Sequence, residues 1–124
     1  MTHVVAVLAF DGVQLLDVAG PAEVFTTANT FGADYDVRVI SGTGTDVTTS
    51  AGVRLGAAPA PEKPRRLGTL VVPGRPDWRN AVRDDVTMTA VTGLAPRARR
   101  IASVCAGAFL LAEAGLLDDR RATT

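Results

Sequence analysis

Cysteine occurs once in this chain, at Cys105, so no disulfide can close within it. A lone thiol suits a reducing compartment. Charge of either sign is missing in excess: 13 Lys and Arg balance 13 Asp and Glu, which removes the electrostatic signature of a polyanion-binding domain. Only Lys63 among the basic residues is lysine, a bias that genome composition accounts for as well as any physical need. Long hydrophobic runs are lacking too. The N-terminal run Val4 to Phe10 is too short to span a bilayer, has no basic flank and meets Asp11 without a small-residue cleavage site. A cytoplasmic protein with no membrane segment is expected. The single histidine, His3, reads as a tail residue, and no metal or cofactor is expected.

What is present is an ordinary globular composition, 47% hydrophobic over 124 residues, enough for one modest domain. Val4 to Phe10 is continuously apolar and ends in Asp11-Gly12, the pattern of a central parallel strand covered on both faces. After a connector holding Leu15, Leu16 and Asp17, Gly20-Pro21 predicts a helix start that continues from Ala22 to Asn29 and stops at Phe31-Gly32. Tyr35 to Ile40 alternates apolar with charged, as a strand near a sheet edge does. Val47 to Thr49 and Val53 to Leu55 predict a hairpin through Ser50-Ala51-Gly52. The glycines before it, at Gly42 and Gly44, lack the spacing of a nucleotide loop. Ala57 to Pro64, rich in proline, reads as an extended connector within one fold.

Thr69 to Val72 predicts a third buried strand, ending at Pro73-Gly74. A helix is expected from about Trp78 to Leu94, with Val82, Val86, Ala90 and Leu94 one turn apart. Arg97, Arg99 and Arg100 read as a solvated helix-to-strand loop, and Ile101 to Val104 as a fourth strand. The last helix is apolar nearly all round through Phe109, Leu110, Leu111, Leu116 and Leu117 and is expected to be buried. Strands alternating with helices imply a doubly wound parallel sheet. Arg120 to Thr124 reads as the approach to a further strand, so the βα unit is expected to be incomplete.

Cys105 falls where the fourth strand gives way to Ala106-Gly107-Ala108, which opens that last helix. A side chain on such a turn projects from the carboxyl end of the sheet, where open α/β sheets bind ligands. Unpaired N–H groups at a helix start favour a thiolate, which makes Cys105 a candidate reactive group. The competing reading is a buried cysteine acting as a small hydrophobe.

Five stretches carry a resemblance. They are Leu8-Ala9-Phe10-Asp11-Gly12; Leu16-Asp17-Val18-Ala19-Gly20-Pro21-Ala22-Glu23-Val24-Phe25; Leu70-Val71-Val72-Pro73-Gly74; Ala102 through Ala112 around Cys105; and Ala114-Gly115-Leu116-Leu117-Asp118 with Arg120 to Thr124. Together they resemble the DJ-1/PfpI (class I glutamine amidotransferase-like) superfamily, nearly end to end. The Leu-Asp-Val-Ala-Gly-Pro and Ala-Gly-Leu-Leu segments look most like the N-terminal domains of GlxA-like AraC-type transcription regulators, and isonitrile hydratases share much of the signature.

The resemblance implies a flavodoxin-like sandwich with Cys105 at the nucleophile elbow and Asp17 beside it as the acid partner. It also implies anion-stabilising backbone N–H groups near Gly74, Arg75 and Ala106. Three departures stand out: Ala106 where threonine is usual, Arg75 where a second glycine is common, and Asp119 where glycine is usual. The usual motif also continues past Thr124 into a His-Trp pair. What the resemblance implies is a ligand- or redox-sensing domain, non-catalytic, which would reach DNA only through a separate domain and would form a homodimer. The alternative is a cysteine-dependent hydratase, glyoxalase-like enzyme or deglycase.

Overall fold

The computed structural model describes residues 2–63 and 65–124. In chain order the elements are β1 (His3–Ala9), α1 (Leu15–Asn29), β2 (Tyr35–Ser41), β3 (Val47–Thr48), β4 (Arg54–Leu55) and β5 (Leu67–Val72). Then follow α2 (Trp78–Ala81), α3 (Asp85–Leu94), a short 3-10 turn (Ala95–Arg97), β6 (Ala98–Ser103) and α4 (Gly107–Glu113). The four long strands form one parallel sheet in the order β2-β1-β5-β6, and β3 pairs with β4 as a separate antiparallel hairpin. This is a flavodoxin-like α/β sandwich. Among the described residues no helix is long and apolar enough to cross a membrane.

β1 is central, as its unbroken apolar run requires. Val5 pairs with Val37 on one side and Thr69 on the other, and Val4 through Phe10 are all buried. Each buried Val, Leu and Phe side chain among them contributes about 1.5–3 kcal/mol by leaving water. β2 is the half-exposed edge its alternation predicted, and the hairpin register sets Val47 against Leu55. The connector before β5 contributes an isolated parallel bridge from Ala58 to Ile40, while its last residue, Pro64, lies outside the described residues.

Four expectations are corrected. α1 begins at Leu15, six residues before the proline that was read as its start, so Asp17 lies in its first turn and Pro21 sits inside the helix. An internal proline costs about 3 kcal/mol through its missing N–H. Complete burial of Val18, at 1% exposure, and the buried engagement of Asp17 offset that cost. The expected Trp78-to-Leu94 helix is two helices, because Asp84 adopts extended dihedrals and caps a new N-terminus by accepting from the Thr87 N–H at 3.0 Å.

Arg99 and Arg100 are exposed residues within β6, not in a loop, and Arg97 closes the preceding turn by donating to the carbonyls of Pro61 and Arg65. α4 ends at Glu113. Gly107, Ala108, Leu110 and Leu111 are buried, but Phe109 remains 36% exposed and Leu116 and Leu117 are half-buried in the following turn.

Candidate functional site

Strand order reverses direction between β1 and β5, and the loops leaving β1, β5 and β6 converge at that end of the sheet. Backbone bonds knit them together. Gln14 N–H donates to the Gly74 carbonyl at 3.0 Å, and Gly74 N–H donates to Asp17 Oδ2 at 3.2 Å, so the β1–α1 and β5–α2 loops hold each other reciprocally. Val104 N–H reaches the Val72 carbonyl at 3.0 Å, extending the β5–β6 pairing to the residue before Cys105. Asp17 is 6% exposed, a carboxyl taken out of water and given a backbone donor.

Two glycines allow this closeness. A Cβ at Gly74 would lie 2.8 Å from the Ala106 nitrogen and 3.1 Å from Asp17 Oδ2. One at Gly107 would lie 2.0 Å from the Val72 carbonyl oxygen. In each case the nearest obstacle is backbone, which cannot swing aside as a flexible side chain would.

Cys105 is exposed, which excludes the buried-cysteine reading, and its φ of +53° is left-handed. For an L residue that conformation costs roughly 1–2 kcal/mol. It is held by its neighbours: Val104 is bonded to Val72, and Gly107 N–H donates to the Val104 carbonyl at 2.9 Å. The Cys105 carbonyl accepts from the Thr124 hydroxyl. Among the described residues the sulfur has no hydrogen bond. Asp17 and Cys105 are therefore related through Gly74 and Ala106, since the hydrogen bond recorded for the carboxylate goes to an amide.

The three residues expected to bind ligand fall out differently. The Ala106 and Arg75 amides have no intramolecular acceptor among the described residues, whereas the Gly74 amide is occupied by Asp17. The Arg75 side chain packs over Gly12 and donates from Nη1 to the Asp11 carbonyl at 3.3 Å, binding the two loops together instead of lying free for an anion. It lines a cleft of about 230 Å³ with Asp11, Thr43 and Asp84. The two hydrogen bonds from Thr87 hold the Asp84 carboxyl below its ordinary range, with a smaller contribution from Arg75.

His3 is not a tail residue. It is the first residue of β1, its Nε2 stands 2.9 Å from Thr69 Oγ1, and its ring meets Tyr35 edge-on at 5.6 Å. It lies at the opposite end of the sheet from Cys105. A cleft of about 540 Å³ between them, lined by Phe25, Thr69, Arg100 and Ala102, reaches Val104 and stops short of the thiol. Sequence reasoning missed one contact at the site: Trp78 stacks on Phe109 with ring centroids 4.1 Å apart. The available signal was positional, because Trp78 follows Gly74, and Phe109 follows Cys105, by the same four residues.

An exposed left-handed cysteine between β6 and α4, beside a loop whose Gly74 amide is held by a buried aspartate, defines a parallel α/β protein of the thiol-bearing kind. The pattern of the DJ-1/PfpI family matches residues 3–124, and the chain belongs to that family. It is 48% identical over 122 residues to an uncharacterised protein in the cpoL 5′ region of Streptomyces lividans, covering 98% of this chain and 86% of that one. It is 33% identical over 117 residues to isonitrile hydratase of Pseudomonas putida, covering 94% of this chain and 50% of the hydratase.

Among solved structures, a ThiJ/PfpI family protein from Pseudomonas syringae superposes with a TM-score of 0.78 at 27% identity, covering 94% of this chain and 47% of that one. An AraC family transcriptional regulator from Pseudomonas putida shares the fold, with a TM-score of 0.66 at 21% identity, covering 94% of this chain and 73% of that one. The chain thus spans about half the length of the hydratase and of the Pseudomonas syringae protein.

Proposed function

We propose that this domain is a ligand- or redox-sensing unit of an AraC-type transcriptional regulator, with Cys105 at a nucleophile elbow as its reactive group. The observation that carries the reading is an exposed sulfur held in a strained turn without a hydrogen-bonded base. Among the described residues Asp17 bonds to the Gly74 amide and His3 bonds to Thr69 at the far end of the sheet, so neither is hydrogen-bonded to the thiol. Sensing needs only access and a loop that responds. With a peroxide, the Cys105 thiolate attacks the hydroxyl oxygen; the S–O bond forms, the O–O bond breaks, hydroxide or alkoxide leaves and takes a proton from solvent, and a sulfenic acid remains. Contact with DNA belongs to a separate domain, and a cytoplasmic setting suits the unpaired thiol.

Mild hydrogen peroxide followed by intact-mass analysis tests this. A single added oxygen on the protein, absent from Cys105→Ser and formed faster than on free cysteine, is the expected result. A rate no greater than that of free cysteine defeats the reading.

The likeness to isonitrile hydratase favours a second reading, a cysteine-dependent hydratase. Ala106 weighs against it, since the usual threonine would offer a hydroxyl to orient water or substrate. Turnover of an isonitrile by the purified protein, abolished by Cys105→Ser, would replace the sensor reading with this one.

We further propose that the domain pairs with a second copy through the outer face of α1. Leu16 and Val24 of α1, with Phe31 just beyond its end, are 72%, 67% and 87% exposed, and Gly20 between the first two leaves room for close approach.

A further inference from the structure

α2 is one turn long, Trp78–Ala81, and a helix of that length has no stability of its own in water. Its position is fixed from the side. The Trp78 indole lies nearly parallel to the Phe109 ring, 13° from coplanar at 4.1 Å, and the Arg79 guanidinium carbon sits 4.4 Å from the indole centroid. The indole is thus held by contact with both an aromatic ring and a guanidinium group. Phe109 in turn belongs to α4, with its N–H donating to the Ala106 carbonyl at 3.0 Å.

The chain thereby closes a ring of contacts. From Gly74 it runs through α2 to Trp78, across the stack to Phe109, and back along α4 to Ala106, whose nitrogen lies against Gly74. Cys105, whose backbone is left-handed, directly precedes Ala106 and so adjoins this ring where it closes. An aromatic stack contributes about 0.5–1.5 kcal/mol beyond its buried area. The left-handed turn carries a conformational cost of comparable size. The two are of the same size, so the stack is large enough to decide whether the turn keeps its geometry.

We propose that Trp78 is a positioning residue for Cys105. By stacking on Phe109 it fixes the spacing between the loop carrying the Gly74 and Arg75 amides and the turn carrying the sulfur. This rests on the reading of Cys105 as a reactive thiol. The converse also holds: a group attached to the sulfur displaces the Cys105 turn, and α4 transmits the change to the indole.

Trp78 is the only tryptophan and Cys105 the only cysteine, so emission and alkylation each report one site in the full chain. With iodoacetamide as the probe, modification of the wild type changes Trp78 emission, and Trp78→Ala slows alkylation about threefold to tenfold, the rate equivalent of losing such a stack. Trp78→Phe, which can still stack, restores the rate to within about twofold. Should Trp78→Ala fail to fold, Phe109→Leu, which keeps the tryptophan, carries the same expected slowing. Alkylation of a folded Trp78→Ala or Phe109→Leu at the wild-type rate or faster, or wild-type emission unmoved by alkylation, overturns the proposal. A wild-type thiol no faster than N-acetylcysteine defeats the reactive-thiol reading alone, and the emission response still decides the coupling.

Discussion

Gly74 and Asp17 are joined at 3.2 Å by a hydrogen bond that spans 57 residues of sequence and ties the loop after β5 to the first turn of α1. The pair does two things at once. It satisfies a buried carboxyl, and it removes the Gly74 amide from the donors that could face an anion, leaving those of Arg75 and Ala106.

Replacing Asp17 tests that division. Asp17→Ala orphans the buried Gly74 N–H and is expected to cost about 1–3 kcal/mol in urea unfolding. Asp17→Asn keeps an acceptor oxygen and is expected to lose no more than about half as much. Equal losses from both variants would show that the charge matters, not the hydrogen bond.

Gly107 and Gly20 should respond oppositely to the same change. Gly107→Ala drives a methyl into the Val72 carbonyl and is expected to destabilise by about 3 kcal/mol or to leave no folded protein. Gly20→Ala meets nothing within 4 Å inside α1 and is expected to stabilise by up to about 1 kcal/mol. Thermal melts of the two side by side decide it.

Acid should unfasten α3 first at its cap. The folded-state pKa of Asp84 lies below its ordinary 3.8, chiefly through the hydrogen bonds from Thr87. Its contribution is therefore complete above the unfolded value and is lost as pH falls through the lowered folded one. Asp84→Ala is expected to cost about 1 kcal/mol at neutral pH and progressively less below pH 3.8, measured by denaturant midpoints across that range. Asp36, lowered first by its hydrogen bond from Arg38, moves in the same direction, but its ion pairs on the β2 edge are exposed enough to contribute little.

Association should depend on α1. Val24→Glu places a charge in the exposed stripe between Leu16 and Phe31, and light scattering should show a dimer becoming a monomer with the fold unchanged. A wild type that is monomeric at high concentration removes the proposed surface.

Much of the architecture could be read from side-chain pattern. The run Val4 to Phe10 placed β1 at the centre, the alternation from Tyr35 placed β2 at an edge, and Ser50-Ala51-Gly52 marked the hairpin turn. Boundaries failed where a distant partner outweighed local preference. Pro21 marks a helix start by its own chemistry, but the helix begins six residues upstream because the core receives Val18 and Gly74 receives Asp17. The expected Trp78–Leu94 stripe was divided by the capping acceptor at Asp84, and α3 turns Thr87, Val91 and Leu94 to the core and leaves Val86 exposed.

For the site, the sequence by itself determined the inventory. One cysteine, placed between an apolar strand and a small-residue helix start, could lie only at a turn, and the neighbouring glycines marked where backbones approach. Tertiary structure alone decided the roles. Whether Asp17 touches the sulfur or an amide, whether Arg75 faces an anion or the Asp11 carbonyl, and which aromatic rings meet depend on gaps of 3–4 Å between loops far apart in the chain. Local pattern does not encode such gaps, because they are set by how three strands and their helices pack against one another.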